Sequence, residues 1–238
     1  MEYQNRIEAV FLERINRFVA RVEIDGKEEK VHVPNTGRCR EIFVPGTRVY
    51  LSRSEKSGRK YPYTLYEAYK GDMLIHIDSA GANRLAEEAL MKDRVKELIG
   101  AAEIVREKPY GSSRFDFRFQ QDGKLCYMEV KGVTLEIDGV AKFPDAPTER
   151  GARHLAELQQ AASEGFGAYV LFVIQMKGVK AFTPFTERDR KFSEALSAAA
   201  SHGVKVLAYD TKVTPEHIVL DQSVPIVLPR LEEEYDKN

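Results

Sequence analysis

The sequence predicts a mixed, α+β fold built from two parts: a small β-barrel and, after it, a β-sheet flanked by helices. Up to about Ile77 the chain shows short runs of alternating apolar and polar residues and almost no helical periodicity. Around Asn83 the apolar spacing becomes helical, and beyond that point strand-like and helix-like segments alternate. A run of strands followed by alternating strands and helices indicates two structural units.

The first part reads as a set of short strands separated by turn residues. Strands are predicted over 17–24 and 30–33, with Asp25-Gly26 at the turn between them, and further strands over 48–51 and 64–68. A barrel of about five strands, such as an OB-fold, is the economical arrangement, because closure of the sheet removes exposed strand edges. We expect residues 1–81 to form this OB-like domain.

The second part, residues 82–238, is predicted to be an α/β domain. A helix with Asn83 as its N-cap and Gly100 as its stop comes first, followed by strands over 114–119 and 125–131 joined by Gln121-Asp122-Gly123. Then come a helix over 148–164, an apolar strand over 168–174, a helix over 187–202 and a strand over 204–209. The tail from Leu231 is acidic and expected to fray.

Composition narrows the class of protein. The 238 residues carry 36 basic and 37 acidic side chains, so any surface for a polyanion must be local. The start of the chain is polar and no stretch of eighteen apolar residues occurs, which predicts neither a signal peptide nor a membrane span. The cysteines, Cys39 and Cys126, are far apart and belong to no metal-binding cluster. Reduced thiols in a cytoplasm fit this pattern best.

The second part contains a candidate metal site. Glu129 and Lys131 are two residues apart on a strand and project to one face, and the hairpin partner strand carries Asp116 between two aromatics. This is the D…(D/E)-x-K pattern of restriction-endonuclease-like nucleases. In that interpretation Asp116 and Glu129 bind Mg²⁺ or Mn²⁺ together with the Val130 carbonyl, and Lys131 positions the attacking water. An acidic residue two before a lysine is also a common exposed ion pair.

Two further glutamates could complete the acidic cluster, although each could equally be a solvated carboxylate. Glu88 lies on the first predicted helix and Glu107 lies just before the Asp116 strand.

Local basic clusters are the candidate nucleic-acid contacts. Thr148, Arg150, Arg153 and His154 fall in the first turns of a helix, where N–H groups and guanidinium favour phosphate. The turn-rich segment 34–40 contributes Arg38 and Arg40, and Arg53, Lys56, Arg59 and Lys60 precede Tyr61-Pro62-Tyr63. Solvated loops and an ordinary capped helix remain the alternatives, and a lone histidine on a helix is more often structural.

These segments closely resemble the sugar fermentation stimulation protein family, SfsA, a group described as DNA-binding proteins. The resemblance spans nearly the whole chain and is carried by Pro34-Asn35-Thr36-Gly37, Arg59-Lys60-Tyr61-Pro62, Ala82-Asn83-Arg84-Leu85, Ser113-Arg114-Phe115-Asp116-Phe117, Glu129-Val130-Lys131, Phe143-Pro144-Asp145-Ala146, Thr148-Glu149-Arg150-Gly151 and His154-Leu155. One departure is Cys39, where relatives often carry methionine; it touches the first domain only.

The resemblance implies an OB-like domain joined to a domain with the nuclease fold of restriction enzymes. It places the family's acidic residues and lysine on Asp116, Glu129 and Lys131, and its recurrent glutamates on Glu88 and Glu107.

Three functions are therefore weighed. The first is a DNA-binding protein of little sequence specificity with a Mg²⁺-dependent or Mn²⁺-dependent nuclease-like site. The second is a non-catalytic DNA-binding regulator of sugar (maltose) metabolism genes. The sequence contains no recognisable helix-turn-helix, zinc finger or basic zipper, so such a regulator would bind DNA with little sequence preference. The third, an enzyme acting on a small sugar or nucleotide, lacks a P-loop or a GxGxxG motif after a strand. The oligomeric state is left open.

Overall fold

The chain folds into three β-sheets and three α-helices over the residues described by the computed structural model, which are 1–3, 5–35, 37–54, 58–111 and 113–229. The strands are β1 (Arg6–Asn16), β2 (Val19–Ile24), β3 (Lys27–His32), β4 (Arg48–Arg53), β5 (Tyr63–Lys70), β6 (Met73–His76), β7 (Ala102–Tyr110), β8 (Ser113–Gln121), β9 (Lys124–Val133), β10 (Leu135–Ile137), β11 (Val140–Phe143), β12 (Gly167–Ile174), β13 (Ala181–Pro184), β14 (Lys205–Val213) and β15 (Ile218–Ser223). The helices are α1 (Gly81–Met91), α2 (Glu149–Ser163) and α3 (Arg190–Ser201).

The N-terminal part is a curled sheet of six strands in the order β3-β2-β1-β4-β5-β6, with neighbouring strands antiparallel. Its curl brings β3 beside β5 at one pair, His32 and Thr64. The Asp25-Gly26 turn joins β2 to β3 with both residues at positive φ, as a tight hairpin requires. The OB-like prediction is confirmed, with six strands rather than about five.

The C-terminal part is built on a second six-stranded sheet, in the order β15-β14-β12-β9-β8-β7. Strands β9, β12 and β14 run parallel, and β7, β8 and β15 are antiparallel to their neighbours. A small sheet, β10-β11-β13, lies beside it. The sheet is mixed, and the predicted α/β architecture is confirmed.

Helices cover the large sheet on both faces, which explains why β12 is apolar throughout. Phe172 belongs to a core shared with Leu155 of α2 and Phe192 of α3. Its neighbour Leu171 belongs to a separate core shared with Leu85 of α1. Because successive side chains of a strand point to opposite faces, a strand between two cores must be apolar at every position.

The first helix differs from its prediction at both ends. It begins at Gly81, so Asn83 lies inside it rather than capping it, and the Asn83 side chain donates a hydrogen bond to Asp116 at 2.7 Å. The helix ends at Met91 because the chain reverses at Asp93, whose φ is 52°. Beyond that point Val95 and Leu98, the latter in a short 3₁₀ turn, are buried without being α-helical, whereas Ile99 is exposed.

Some of the other elements agree with the sequence prediction, and others were not predicted. The hairpin of β8 and β9, the helices α2 and α3 and the strands β12 and β14 are present as predicted, with ends shifted by a few residues. Strands β1, β6, β7 and β15 and the small sheet were not predicted. No helix in the described part of the chain has the length and apolar character needed to cross a membrane. The tail from Leu231 lies outside the described residues.

Candidate metal and nucleic-acid site

The candidate site lies where β8 and β9 separate at one edge of the large sheet. Backbone pairing of the two strands runs as far as Phe117 and Met128. Beyond this pair the Asp116 side chain replaces the backbone as the hydrogen-bond acceptor: its Oδ2 accepts a hydrogen bond from the Val130 N–H at 2.8 Å. Its Oδ1 accepts the bond from Asn83 of α1. The strand separation therefore places a carboxylate, rather than a ladder hydrogen bond, at the edge of the sheet.

Glu129 is the most enclosed acid of the site, with 4% of the residue exposed. Its Oε1 lies 2.6 Å from Lys131 Nζ and 2.6 Å from His154 Nδ1. Its Oε2 is buried and has no hydrogen-bond partner among the described residues. A buried carboxylate oxygen without a partner is costly, so this atom is suited to a ligand.

The pKa values of the two carboxylates are shifted in opposite directions. Burial, followed by the negative charge of Glu129, raises the pKa of Asp116 to about 6 despite the hydrogen bonds from Val130 and Asn83. For Glu129, burial acts to raise the pKa, but the His154 hydrogen bond and the Lys131 charge outweigh it and the net pKa is lowered. Glu129 is thus ionised at neutral pH, while the pKa of Asp116, about 6, lies close to neutral pH. A bound cation would relieve the repulsion between them.

The donor set suits a hard divalent cation. Within the described residues no three His, Cys, Asp or Glu side chains are grouped so as to enclose a metal ion. Mg²⁺ does not need such a cage, since it keeps several waters and is often held by one or two carboxylates together with substrate phosphate. Asp116 and the unpartnered Oε2 of Glu129 fit that kind of site, with Lys131 beside them.

A cleft of about 500 Å³ opens in front of Asp116. It brings together two of the predicted residues, Glu107 and Arg150, with Arg114 and the β7–β8 turn. Glu107 reaches it through a left-handed backbone (φ 53°) in β7, and its carboxylate lies 3.9 Å from the Arg114 guanidinium. The cleft is lined mainly by polar groups of both charges, which suits a phosphodiester with a counter-ion.

Glu88 is held elsewhere. Its carboxylate lies 3.0 Å from the amino group of Met1 and 2.8 Å from Lys92 Nζ. The hydrogen bonds from Lys92 and the amino terminus lower its pKa, although partial burial opposes them. The structure does not bring Glu88 into the cleft with Asp116.

A second depression, of about 590 Å³, lies on the N-terminal domain and contains Arg38 and Arg40. Arg14 and Arg17 share it, as does Ala146 from the loop before α2. Arg14 organises the loop, because its guanidinium donates to the carbonyls of Arg17, Asn35, Gly37 and Arg38. We call this depression, with its arginines 14, 17, 38 and 40, the arginine basin.

The remaining predicted basic residues are more dispersed. Arg53 is exposed at the end of β4, and Lys60 Nζ lies 5.5 Å from the Tyr61 ring centre. Burial, followed by the positive charge of Arg59, lowers the pKa of His32. None of these three lines the arginine basin. Arg153 is exposed on α2 and lines neither depression. Lys56, named with them, lies outside the described residues.

Three residues of the site were not predicted in their observed roles. The sequence pattern predicts a helix cap at Asn83, whose side chain instead donates to Asp116, and it indicates a lone histidine at His154, which instead contacts Glu129. Arg114 was overlooked, although its position two residues before Asp116 on the same strand places both on one face. That strand period is the signal that could have identified Arg114.

Comparison with known proteins agrees with this architecture. The family model described as "Sugar fermentation stimulation protein RE domain" matches residues 80–217, and "SfsA N-terminal OB domain" matches residues 12–77. A sugar fermentation stimulation protein homolog of Clostridium botulinum (strain Loch Maree / Type A3) is 50% identical over 94% of this chain and 97% of its own length. The homolog of Clostridium perfringens (strain 13 / Type A) is 50% identical over 96% of this chain and 100% of its own.

A solved structure is also similar over nearly the whole chain. The structure of Pyrococcus furiosus SfsA in complex with Ca²⁺ superposes with a TM-score of 0.86 at 30% identity, covering 95% of this chain and 98% of the other. The similarity therefore extends over both parts of the fold.

Proposed function

The chain belongs to the sugar fermentation stimulation protein family, and we propose that it binds DNA with little sequence preference and hydrolyses phosphodiester bonds at a site that depends on a divalent metal. One observation carries the hydrolytic part: Glu129 is buried and ionised, its Oε2 has no partner among the described residues, and it lies beside the Asp116 carboxylate. The Ca²⁺ in the similar Pyrococcus furiosus structure supports a divalent ion in this fold.

The chemistry follows from the residues around the sheet edge. Asp116 and Glu129 would hold Mg²⁺ or Mn²⁺, which supplies Lewis-acid stabilisation of the charge that develops on the phosphate. Lys131 Nζ donates to Glu129 while its side chain is 14% exposed, and we assign it the orientation of the attacking water. Glu107 lines the cleft in front of Asp116, where it would bind the metal through a water molecule or take part in a proton transfer.

DNA contact is assigned to two surfaces. The cleft contributes Arg150, and the arginine basin contributes Arg38 and Arg40. The loop before α2 joins the two, because Ala146 lines the basin and α2 begins at Glu149, next to Arg150. Guanidinium groups in these two depressions suit a phosphate backbone rather than individual bases, which agrees with weak sequence preference.

A cleavage assay tests the proposal. The full chain is incubated with plasmid, linear duplex and single-stranded DNA in Mg²⁺ or Mn²⁺, alongside Asp116→Asn, Glu129→Gln and Lys131→Met. We expect metal-dependent cutting that each substitution lowers by at least about 100-fold, since each removes a group acting on the developing charge. Arg190→Ala, which breaks an ion pair with Glu194 on α3, is the matched control and should cut normally.

The second function is a non-catalytic DNA-binding regulator of sugar metabolism genes. DNA binding that persists without cutting in either ion would support it and would remove the hydrolytic part of the proposal. Both functions are placed in the cytoplasm, where Cys39 and Cys126, free and buried here, would stay reduced.

A further inference from the structure

The first turns of α2 link the phosphate side of the cleft to the carboxylate that would bind the metal. His154 is buried, with 3% of the residue exposed, and its Nδ1 lies 2.6 Å from Glu129 Oε1. One turn earlier, Arg150 is exposed, lines the cleft beside Asp116, and donates from its Nε to His154 Nε2 at 3.3 Å. Three side chains are therefore joined in the order Arg150, His154, Glu129.

Both contacts select the same form of the imidazole. The Arg150 Nε–H can only donate, so His154 Nε2 must carry a lone pair rather than a proton. The proton of the neutral ring then resides on Nδ1, from which it can be donated to Glu129 Oε1. The Phe115 ring, edge-to-face with the imidazole at 6.2 Å, fixes its orientation. Neither hydrogen bond requires the other, yet both agree on one tautomer.

We propose that Arg150 forms a phosphate subsite of the cleft, and that His154 is a positioning residue that orients both the Arg150 guanidinium and the Glu129 carboxylate. This inference rests on the proposed function and deepens it, because the ligand is a phosphodiester oxygen next to the metal position. Arg150 uses Nε for His154, and its two Nη groups have no hydrogen bond or ion pair within the described ranges. Those groups can donate to a phosphate in the cleft.

In this arrangement Oε2 is the Glu129 oxygen that would bind the metal, because it has no hydrogen-bond partner among the described residues. His154 and Lys131 both approach Oε1, so Oε2 is the atom turned away from them. A carboxylate held through one oxygen by two donors cannot rotate freely, and the other oxygen keeps its direction. His154 thus acts on metal binding through Glu129, and on DNA binding through Arg150, without touching either ligand.

Two substitutions of His154 separate its two hydrogen bonds. Asparagine can place its Nδ2 near the position of the imidazole Nδ1, so His154→Asn keeps a donor for Glu129 and loses the acceptor for Arg150. Glutamine can place its terminal amide near the imidazole Nε2, so His154→Gln keeps a partner for Arg150 and loses the donor for Glu129. Asparagine removes more volume from this buried position than glutamine does, so urea unfolding of both variants is measured as the control for packing.

The experiment measures Mn²⁺ or Ca²⁺ affinity by calorimetry and duplex DNA affinity in Ca²⁺ for the full chain and each variant. We expect His154→Gln to weaken metal binding by about 10-fold and His154→Asn by less than about 2-fold, the scale of a lost support for a metal ligand. His154→Asn and Arg150→Ala should each weaken DNA binding, Arg150→Ala by about 10-fold, with metal affinity retained. Arg190→Ala is the charge control.

The outcomes are distinguishable. Absence of metal binding by the unsubstituted protein would overturn the proposed function together with this inference. Normal metal and DNA binding by that protein, with His154→Asn and His154→Gln indistinguishable in both assays although circular dichroism shows them folded, would overturn the inference alone. A normal DNA affinity of Arg150→Ala would remove the phosphate subsite.

Discussion

The Asp116 carboxylate accepts the backbone N–H of Val130, the residue between Glu129 and Lys131, at 2.8 Å. This bond fixes the aspartate against the strand that carries the other two members of the site. It also holds a carboxylate in an enclosed position beside a second negative charge, and its pKa rises from 3.8 to about 6. Stability without metal and metal affinity should therefore depend on pH in opposite directions.

Asp116→Asn should stabilise the metal-free protein at high pH. A carboxyl whose pKa is raised on folding contributes its stability below its unfolded pKa, and that stability is lost as pH rises through about 6. The neutral amide should therefore increase the free energy of unfolding at pH 8 by an amount on the order of 1–3 kcal/mol, with little change at pH 4. Urea unfolding of both proteins in EDTA at the two pH values measures this difference, and an equal gain at both would contradict it.

Divalent metal affinity should fall as the solution is acidified through pH 6. The metal binds the ionised carboxylate and must displace any proton from Asp116, so binding releases protons over this range. Calorimetry with Mn²⁺ in buffers of different ionisation enthalpy at pH 6 and pH 8 counts those protons. Proton release of the same size at both pH values would show that Asp116 does not titrate where burial and Glu129 place it.

The buried ion pair of Arg6 and Glu67 in the N-terminal domain makes a second pH-dependent prediction. Burial raises the pKa of Glu67 to about 7 although Arg6 opposes the change, so the stability from this group is present below pH 4.5 and lost as pH rises through 7. Arg6→Met removes the cation and should cost about 3 kcal/mol at pH 8, where Glu67 is ionised, but less at pH 5.

The control for this prediction is Arg21→Met in β2. Arg21 pairs with Glu13 and Glu28 on an exposed surface, and exposed pairs contribute little to stability. Its free energy of unfolding should change by less than about 1 kcal/mol at either pH. If the loss in Arg6→Met were independent of pH, ionisation of Glu67 would not be its cause.

Much of the fold could be predicted because local signals agreed with it, and the site only in part. Asp25-Gly26 and Asp122-Gly123 adopt positive φ and turn their hairpins where a turn was predicted. The apolar β12 lies between two cores, as its continuous hydrophobicity indicated. Asp116 and Glu129 are brought together by a short hairpin, so their proximity depends on register within one turn.

Long-range relationships could not be predicted in the same way. Asn83 precedes Asp116 by a stretch that includes the unpredicted β7, and its contact with Asp116 depends on how α1 packs on the sheet. His154 meets Glu129 because α2 lies on that face of β9, which no sequence period encodes. Glu88 shows the converse: its position on α1 was correct, but the helix turns it toward Met1.

The hydrogen bonds that cap α2 and α3 should contribute measurably to the stability of the protein. Thr148 Oγ1 accepts from Gly151 N at 3.0 Å, and Asp189, which caps α3, also accepts from Thr148 N at 2.7 Å. Asp189→Ala removes two hydrogen bonds, the one from Thr148 N and the one that caps α3. It should cost about 2 kcal/mol of stability, about twice the effect of Thr148→Ala. Thermal unfolding measures both; equal losses would indicate that Asp189 supports only α3.

Salt dependence tests whether the arginine basin tracks a DNA backbone. Each phosphate contact that an arginine makes releases counterions, so the logarithm of the association constant falls linearly with the logarithm of salt concentration, with a slope of roughly −0.9 per contact on duplex DNA. Arg38→Ala/Arg40→Ala should therefore make that slope shallower by about 1 to 2 and weaken binding equally on unrelated duplex sequences.

Arg21→Ala removes a guanidinium from the same domain but from a surface outside the basin, where it is already paired with Glu13 and Glu28. Its slope should match that of the unsubstituted protein. A matching slope for the Arg38 and Arg40 double substitution as well would mean that neither of these two arginines contacts phosphate, because removing two contacts cannot leave counterion release unchanged. The DNA contact assigned to Arg38 and Arg40 would then be wrong, and the contact assigned to Arg150 in the cleft of Asp116 would remain.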